Sequence, residues 1–155
     1  MKIKFSNLSM NEQIQKLREL TGAGVVECQK ALLDSGGDIE KAVAFIHERG
    51  LARAEKRKDR ETGAGLLESY LHNERVAVLL ELRSETDFVA RSQDFKELAH
   101  NLAMQIVAME PADIDDLLKQ MYIKDESIRV EDLIKRVASK FGENVKIARF
   151  CRYEL

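Results

Sequence analysis

Apolar residues recur every three or four positions over the first fifty residues, then every second position, then every three or four again. The first regime predicts three short helices between residues 9 and 50. Ser9-Met-Asn-Glu12 has capping-box spacing, and Ile14, Leu17 and Thr21 continue one face. Thr21-Gly-Ala-Gly24 breaks that helix. Val25, Cys28 and Leu32 resume the period until Gly36-Gly37 stops it. Asp38 is placed to cap a third helix, with Ile39, Ala42, Val43 and Ile46 as its apolar stripe and Gly50 as its end.

From Arg53 to Glu61 basic and acidic residues alternate, which predicts a solvated helical linker over residues 53–62. The interspersed acids argue against a phosphate-binding patch there. Gly63-Ala-Gly65 marks a boundary. Leu66–Leu71 and Val76–Leu82 then read as strands of a hairpin turned by His72-Asn-Glu-Arg75, with Val76, Val78, Leu80 and Leu82 on one face. From Ser92 the helical period returns through Phe95, Leu98, Ala99, Leu102, Ile106 and Met109, until Glu110-Pro111 ends it. Ile114, Leu117, Leu118 and Met121 predict a short helix. Val130–Phe141 predicts another, with Leu133, Ile134, Val137 and Phe141 inward and Gly142 as its stop. Val145–Tyr153 alternates as a last strand, its odd positions Val145, Ile147, Arg149, Cys151 and Tyr153 sharing one face. The expected fold is α+β: a three-helix module (1–52), a charged linker (53–62), and a core (63–155) in which helices pack on a three-stranded antiparallel sheet.

Composition narrows the function classes. Of 155 residues, 45% are hydrophobic and 34% charged, and the net charge is −2. That balance lacks the basic field of a nucleic-acid binder. No apolar run approaches a membrane span, and Met1 to Asn11 contains neither an apolar signal core nor an arginine-rich transit pattern. Cys28 and Cys151 lie far apart with no ligand spacing around them, which suits a reducing cytoplasm. His47, expected to be exposed, His72, expected in a turn, and His100 fall on separate elements. No phosphate-cradling loop is present, since Gly22-Ala-Gly24 follows a helix rather than a strand. No cofactor, metal or covalent chemistry is expected, and a binding role is favoured. Met10, Met104 and Met109 have the spacing of core packing rather than of an adaptable surface.

One short stretch resists the plain reading. Thr86-Asp-Phe-Val-Ala90 lies between the second strand and the long helix. Thr86 or Asp87 could cap a short helix with Phe88 in the core. Alternatively the corner protrudes, with Phe88 free to enter a partner's pocket and Asp87 carrying charge into it.

The wider stretch Glu81-Leu-Arg-Ser-Glu-Thr-Asp-Phe-Val-Ala-Arg91 closely resembles the core signature of the elongation factor Ts family. Leu17-Arg-Glu-Leu-Thr-Gly-Ala-Gly-Val-Val-Glu-Cys-Gln-Lys-Ala-Leu32 resembles the family's other signature, and the resemblance extends to Gly142-Glu-Asn-Val-Lys-Ile-Ala-Arg-Phe150. It implies a ubiquitin-associated-type N-terminal bundle and guanine-nucleotide exchange on elongation factor Tu in the cytoplasm. It implies that Thr86, Asp87, Phe88 and Val89 enter the GTPase near its Mg²⁺, with Phe88 as a wedge between helices and Asp87 as a hydrogen-bonding group. It further implies that Leu17, Arg18, Thr21, Gly22, Gly24, Val25 and Val26 belong to the contact with the nucleotide domain. Longer family members carry a second core subdomain. A single one here implies a homodimer, with Val145–Tyr153 as its contact and Cys151 opposite its own copy. A ubiquitin-like-binding module is the alternative, but it accounts only for residues 9–50.

Overall fold

The computed structural model describes residues 8–155. They form two compact units that divide between Arg53 and Ala54. In the first, α1 (Met10–Thr21), α2 (Val25–Asp34) and the start of α3 (Ile39–Arg57) enclose a small core of Leu17, Cys28, Ala31, Leu32, Ile39, Ala42 and Ile46. The capping box is formed: the Ser9 backbone N–H and hydroxyl donate to the Glu12 carboxylate at 2.7 and 2.8 Å. Those bonds, the backbone one first, hold the Glu12 carboxyl below its ordinary range. Gly22 ends α1 in the left-handed region at φ 70°. Burial pushes the Cys28 thiol up, so it behaves as a packed apolar side chain. Arg49 and Arg53 of α3 reach Asp34 and Glu27 at 2.5 and 2.8 Å.

The third helix does not stop at Gly50. It continues to Arg57, because Leu51-Ala-Arg-Ala-Glu-Lys-Arg57 are all strong helix formers and one internal glycine costs only about 1 kcal/mol. The helical reading of the charged stretch therefore holds as far as Arg57.

In the second unit β1 (Ala64–His72), β2 (Val76–Ser84) and β5 (Val145–Glu154) form an antiparallel sheet in the order β1-β2-β5. Between β2 and β5 lie α4 (Asp87–Ala90), α5 (Gln93–Met109), α6 (Ile114–Lys119), a small hairpin of β3 (Met121–Tyr122) and β4 (Asp125–Arg129), and α7 (Val130–Phe141). Val78, Leu80, Leu82, Val145 and Ile147 turn inward and join a core with Phe95, Leu98, Ala99, Leu102 and Ile106 of α5. Ser92 caps α5, and Gly142 ends α7 at φ 71°. The α+β class with a three-stranded antiparallel sheet is thus observed.

Four local expectations are corrected. Met121 is not helical but opens β3, because Gln105, fully buried on α5, captures the hairpin's backbone. Its amide donates to the Met121 carbonyl at 3.0 Å and accepts the Ile123 N–H at 2.9 Å. Those bonds satisfy a polar side chain that burial would otherwise penalise. In β5 the odd positions do not share one face. The register slips so that Leu82 pairs with Ile147 while Glu81 pairs with Arg149, which leaves Ala148 as the extra residue of a bulge. Val145 and Ile147 face the core, whereas Cys151 and Tyr153 are exposed. Finally, Met10 and Met109 are surface residues rather than core, and His72 closes β1 rather than lying in the turn.

Candidate functional site

The Thr86–Ala90 stretch forms the single turn α4, with Thr86 as its N-cap. The Thr86 hydroxyl oxygen accepts the Val89 N–H at 3.5 Å. One turn sends its side chains two ways. Val89 and Ala90 fall inward, 1% and 4% exposed, and pin the turn to the core. Phe88 falls outward and is 81% exposed. Each of the two sequence readings therefore describes half of the corner: Thr86 does cap a short helix, and Phe88 is not core. Asp87 is exposed beside Phe88 in the first turn. An apolar ring held in water next to a carboxylate is a poor surface for an isolated chain and a good one for a partner with a matching pocket.

The corner is braced from a distant part of the chain. The Glu143 carboxylate accepts the Thr86 hydroxyl at 2.6 Å and the Thr86 backbone N–H at 3.1 Å. The hydroxyl of Ser84, fully buried, donates to the Thr86 carbonyl at 3.0 Å. The Asn144 N–H donates to Glu85 at 2.7 Å. None of these bracing residues was singled out from the sequence. Glu143 lies 57 positions from Thr86, so no local spacing signals the pair.

In the first unit Val25 and Val26 are exposed at the start of α2, and Arg18 is exposed on α1. Gly22 and Gly24 shape the turn between these helices, and the Thr21 hydroxyl donates to the Leu17 carbonyl at 2.7 Å. Leu17 itself has no exposed surface, so it supports this patch from beneath and cannot touch a partner. Val89 stands in the same relation to the corner.

The outward face of the sheet is a second open surface. Leu67, Leu71, Leu79 and Tyr153 are exposed on it, and Leu79 pairs with Cys151 in the register. At its centre Glu81 is held by Arg149 at 2.6 Å and by Arg83. These two guanidinium groups, Arg149 first, keep the Glu81 carboxyl below its ordinary range against the opposing effect of burial.

Among the described residues no group of three or more His, Cys, Asp or Glu side chains is placed to hold a metal ion. No described helix is long and apolar enough to cross a membrane. Tyr70 packs edge-on against His100 at 5.4 Å, and His100 reaches Glu68 at 2.9 Å, which ties β1 to α5.

Residues 85–155 match the family model described as elongation factor TS, a stretch that opens at the corner and runs to the end of β5. The chain is 42% identical to elongation factor Ts of Thermotoga neapolitana over 92% of its own length and 94% of the relative's. It is 38% identical to elongation factor Ts of Coprothermobacter proteolyticus, covering 92% and 95% of the two chains, and 37% identical to that of Rippkaea orientalis, covering 93% and 77%. The match to the Thermotoga protein spans 186 positions, more than this chain holds, so that relative carries internal residues absent here.

Proposed function

This chain belongs to the elongation factor Ts family, and from that premise we propose that it acts in translation elongation as the guanine-nucleotide exchange factor of elongation factor Tu. The observation that carries the reading is Phe88. It is 81% exposed on a one-turn helix whose next two residues are buried, at the start of the matched stretch. Exchange of this kind makes and breaks no covalent bond. It follows from linkage: a factor that binds the nucleotide-free GTPase more tightly than the loaded form lowers nucleotide affinity by the same factor. A GTPase holds its nucleotide largely through Mg²⁺ and phosphate contacts, so a wedge near the metal weakens both.

In this scheme Phe88 enters between helices of the GTPase and Asp87 hydrogen-bonds to the displaced arrangement. Thr86 and Val89 fix the turn that presents them. Arg18, Val25 and Val26, together with the Gly22 and Gly24 turn, contact the nucleotide domain. The core domain self-associates through the open sheet face, where exposed Leu67, Leu71, Leu79 and Tyr153 leave apolar surface that a second copy would cover. A ubiquitin-like-binding role would leave the match over 92% of the chain without a purpose.

Release of labelled GDP from elongation factor Tu tests the proposal. The protein should accelerate release many-fold and hydrolyse nothing. Release at the intrinsic rate with saturating protein would overturn it.

A further inference from the structure

We propose that Glu143 is the positioning residue of the Thr86–Val89 corner, which sets the direction in which Phe88 and Asp87 point. The inference rests on the exchange reading for its functional consequence, but its structural part stands alone. A four-residue helix cannot hold itself, because one turn fixes several dihedral angles for very few hydrogen bonds. Something outside α4 must therefore fix the residue at which it begins.

The structure supplies that restraint in two crossed carboxylates. Glu143, in the turn between α7 and β5, takes both the hydroxyl and the backbone N–H of Thr86, at 2.6 and 3.1 Å. Glu85, next to Thr86, takes the backbone N–H of Asn144 at 2.7 Å, and so grips the residue after Glu143. Each chain segment thus holds the other through charge-assisted bonds, which are roughly twice as strong as neutral ones. The Glu143 turn has its own anchor. Asn144 is 4% exposed, and its amide donates to the carbonyls of Lys58 and Arg60 at 2.9 and 2.8 Å. With the buried Ser84 hydroxyl on its carbonyl, Thr86 has every polar group engaged.

The chemistry of Glu143 points to this use. Both its oxygens are spent on Thr86. Two bonds to one residue, made by its two oxygens, restrain rotation of the turn as well as its position.

Two measurements decide the matter. In the free protein, Glu143→Ala should speed amide hydrogen exchange at Thr86, Val89 and Ala90, the hydrogen-bonded amides of the corner, by tenfold or more and leave Leu80 and Leu82 of β2 unchanged. No change at the corner, or an equal rise in the sheet, would overturn the proposal. In GDP release from elongation factor Tu, Glu143→Ala should lose roughly tenfold in rate, the scale of losing hydrogen bonds to a charged group. Glu143→Gln keeps an acceptor and should recover part of that loss. In a background carrying both Asp87→Ala and Phe88→Ala, Glu143→Ala should cost nothing further, because both side chains it positions are gone. Losses that multiply would mean that Glu143 acts by a contact of its own. If the wild-type protein fails to speed release, the exchange reading falls, while hydrogen exchange still decides what Glu143 holds.

Discussion

Phe88 and Val89 are neighbours that one turn of helix sends in opposite directions, so they answer oppositely to the same substitution. Phe88→Ala removes an exposed ring, and its effect on stability should stay within about 0.5 kcal/mol. Its effect on GDP release from elongation factor Tu should be large. Val89→Ala removes buried methyl groups and should cost about 1–3 kcal/mol, read as a lower melting temperature. A large stability loss at Phe88 would place the ring in the core and take it out of the mechanism. Glu81 offers a second test at this scale. Its carboxyl is held below the ordinary value of 4.5, chiefly by Arg149 and then by Arg83. A lowered carboxyl contributes stability that is full above its unfolded pKa and is lost as pH falls through the lower folded value. Glu81→Gln should therefore melt below wild type at pH 7, with the gap closing as pH falls from about 4.5 downward. A gap that stays constant to pH 3 would show that the ion cluster does not act through charge.

At the scale of elements, strong periodicity was legible and long-range pairing was not. The capping box at Ser9, the Ser92 start of α5 and the Gly142 stop of α7 are local rules, and all three appear in the structure. Gln105 capturing a hairpin, the bulge at Ala148 and Glu143 on Thr86 each join residues that sequence spacing does not link. The candidate site was legible as a pentapeptide, but its support was not. Turn chemistry gives a direct check on the β1–β2 hairpin. Asn73 and Glu74 both lie in the left-handed region, at φ 49° and 59°. Asparagine tolerates that region, whereas glutamate is strained there. Glu74→Gly should raise stability by about 0.5–1 kcal/mol in a denaturant titration. Gly65 is the opposite case. It sits opposite Arg83, and a methyl group there would run into the Leu82 carbonyl oxygen. Gly65→Ala should cost about 1–3 kcal/mol, because the obstacle is backbone and cannot swing aside. An unchanged midpoint would mean that β1 shifts freely along its edge.

For the whole molecule the open question is what covers the outward face of the sheet. Its inward face is closed by α5, while its outward face carries Leu67, Leu71, Leu79 and Tyr153 in contact with water. The bulge at Ala148 decides this distribution. It turns Val145 and Ile147 into the core and leaves Cys151 and Tyr153 outside, so the contact surface is narrower than simple alternation along β5 would make it. The central strand then matters most, because Leu79 lies between Ser69 of β1 and Cys151 of β5. A second copy packed on this face would bury that row and bring the two Cys151 residues toward a common axis. A bridge between them would require Cα atoms within about 7 Å, and a reducing setting would leave it open. Light scattering in reducing buffer should give twice the chain mass at micromolar concentration. Leu79→Arg should give the chain mass, because it places an unpaired charge in the middle of the contact. It should leave the melting temperature of the isolated fold nearly unchanged, since Leu79 points away from the core. If the wild-type protein is monomeric and exchanges nucleotide at full rate, one core unit suffices and the apolar face belongs to a different contact.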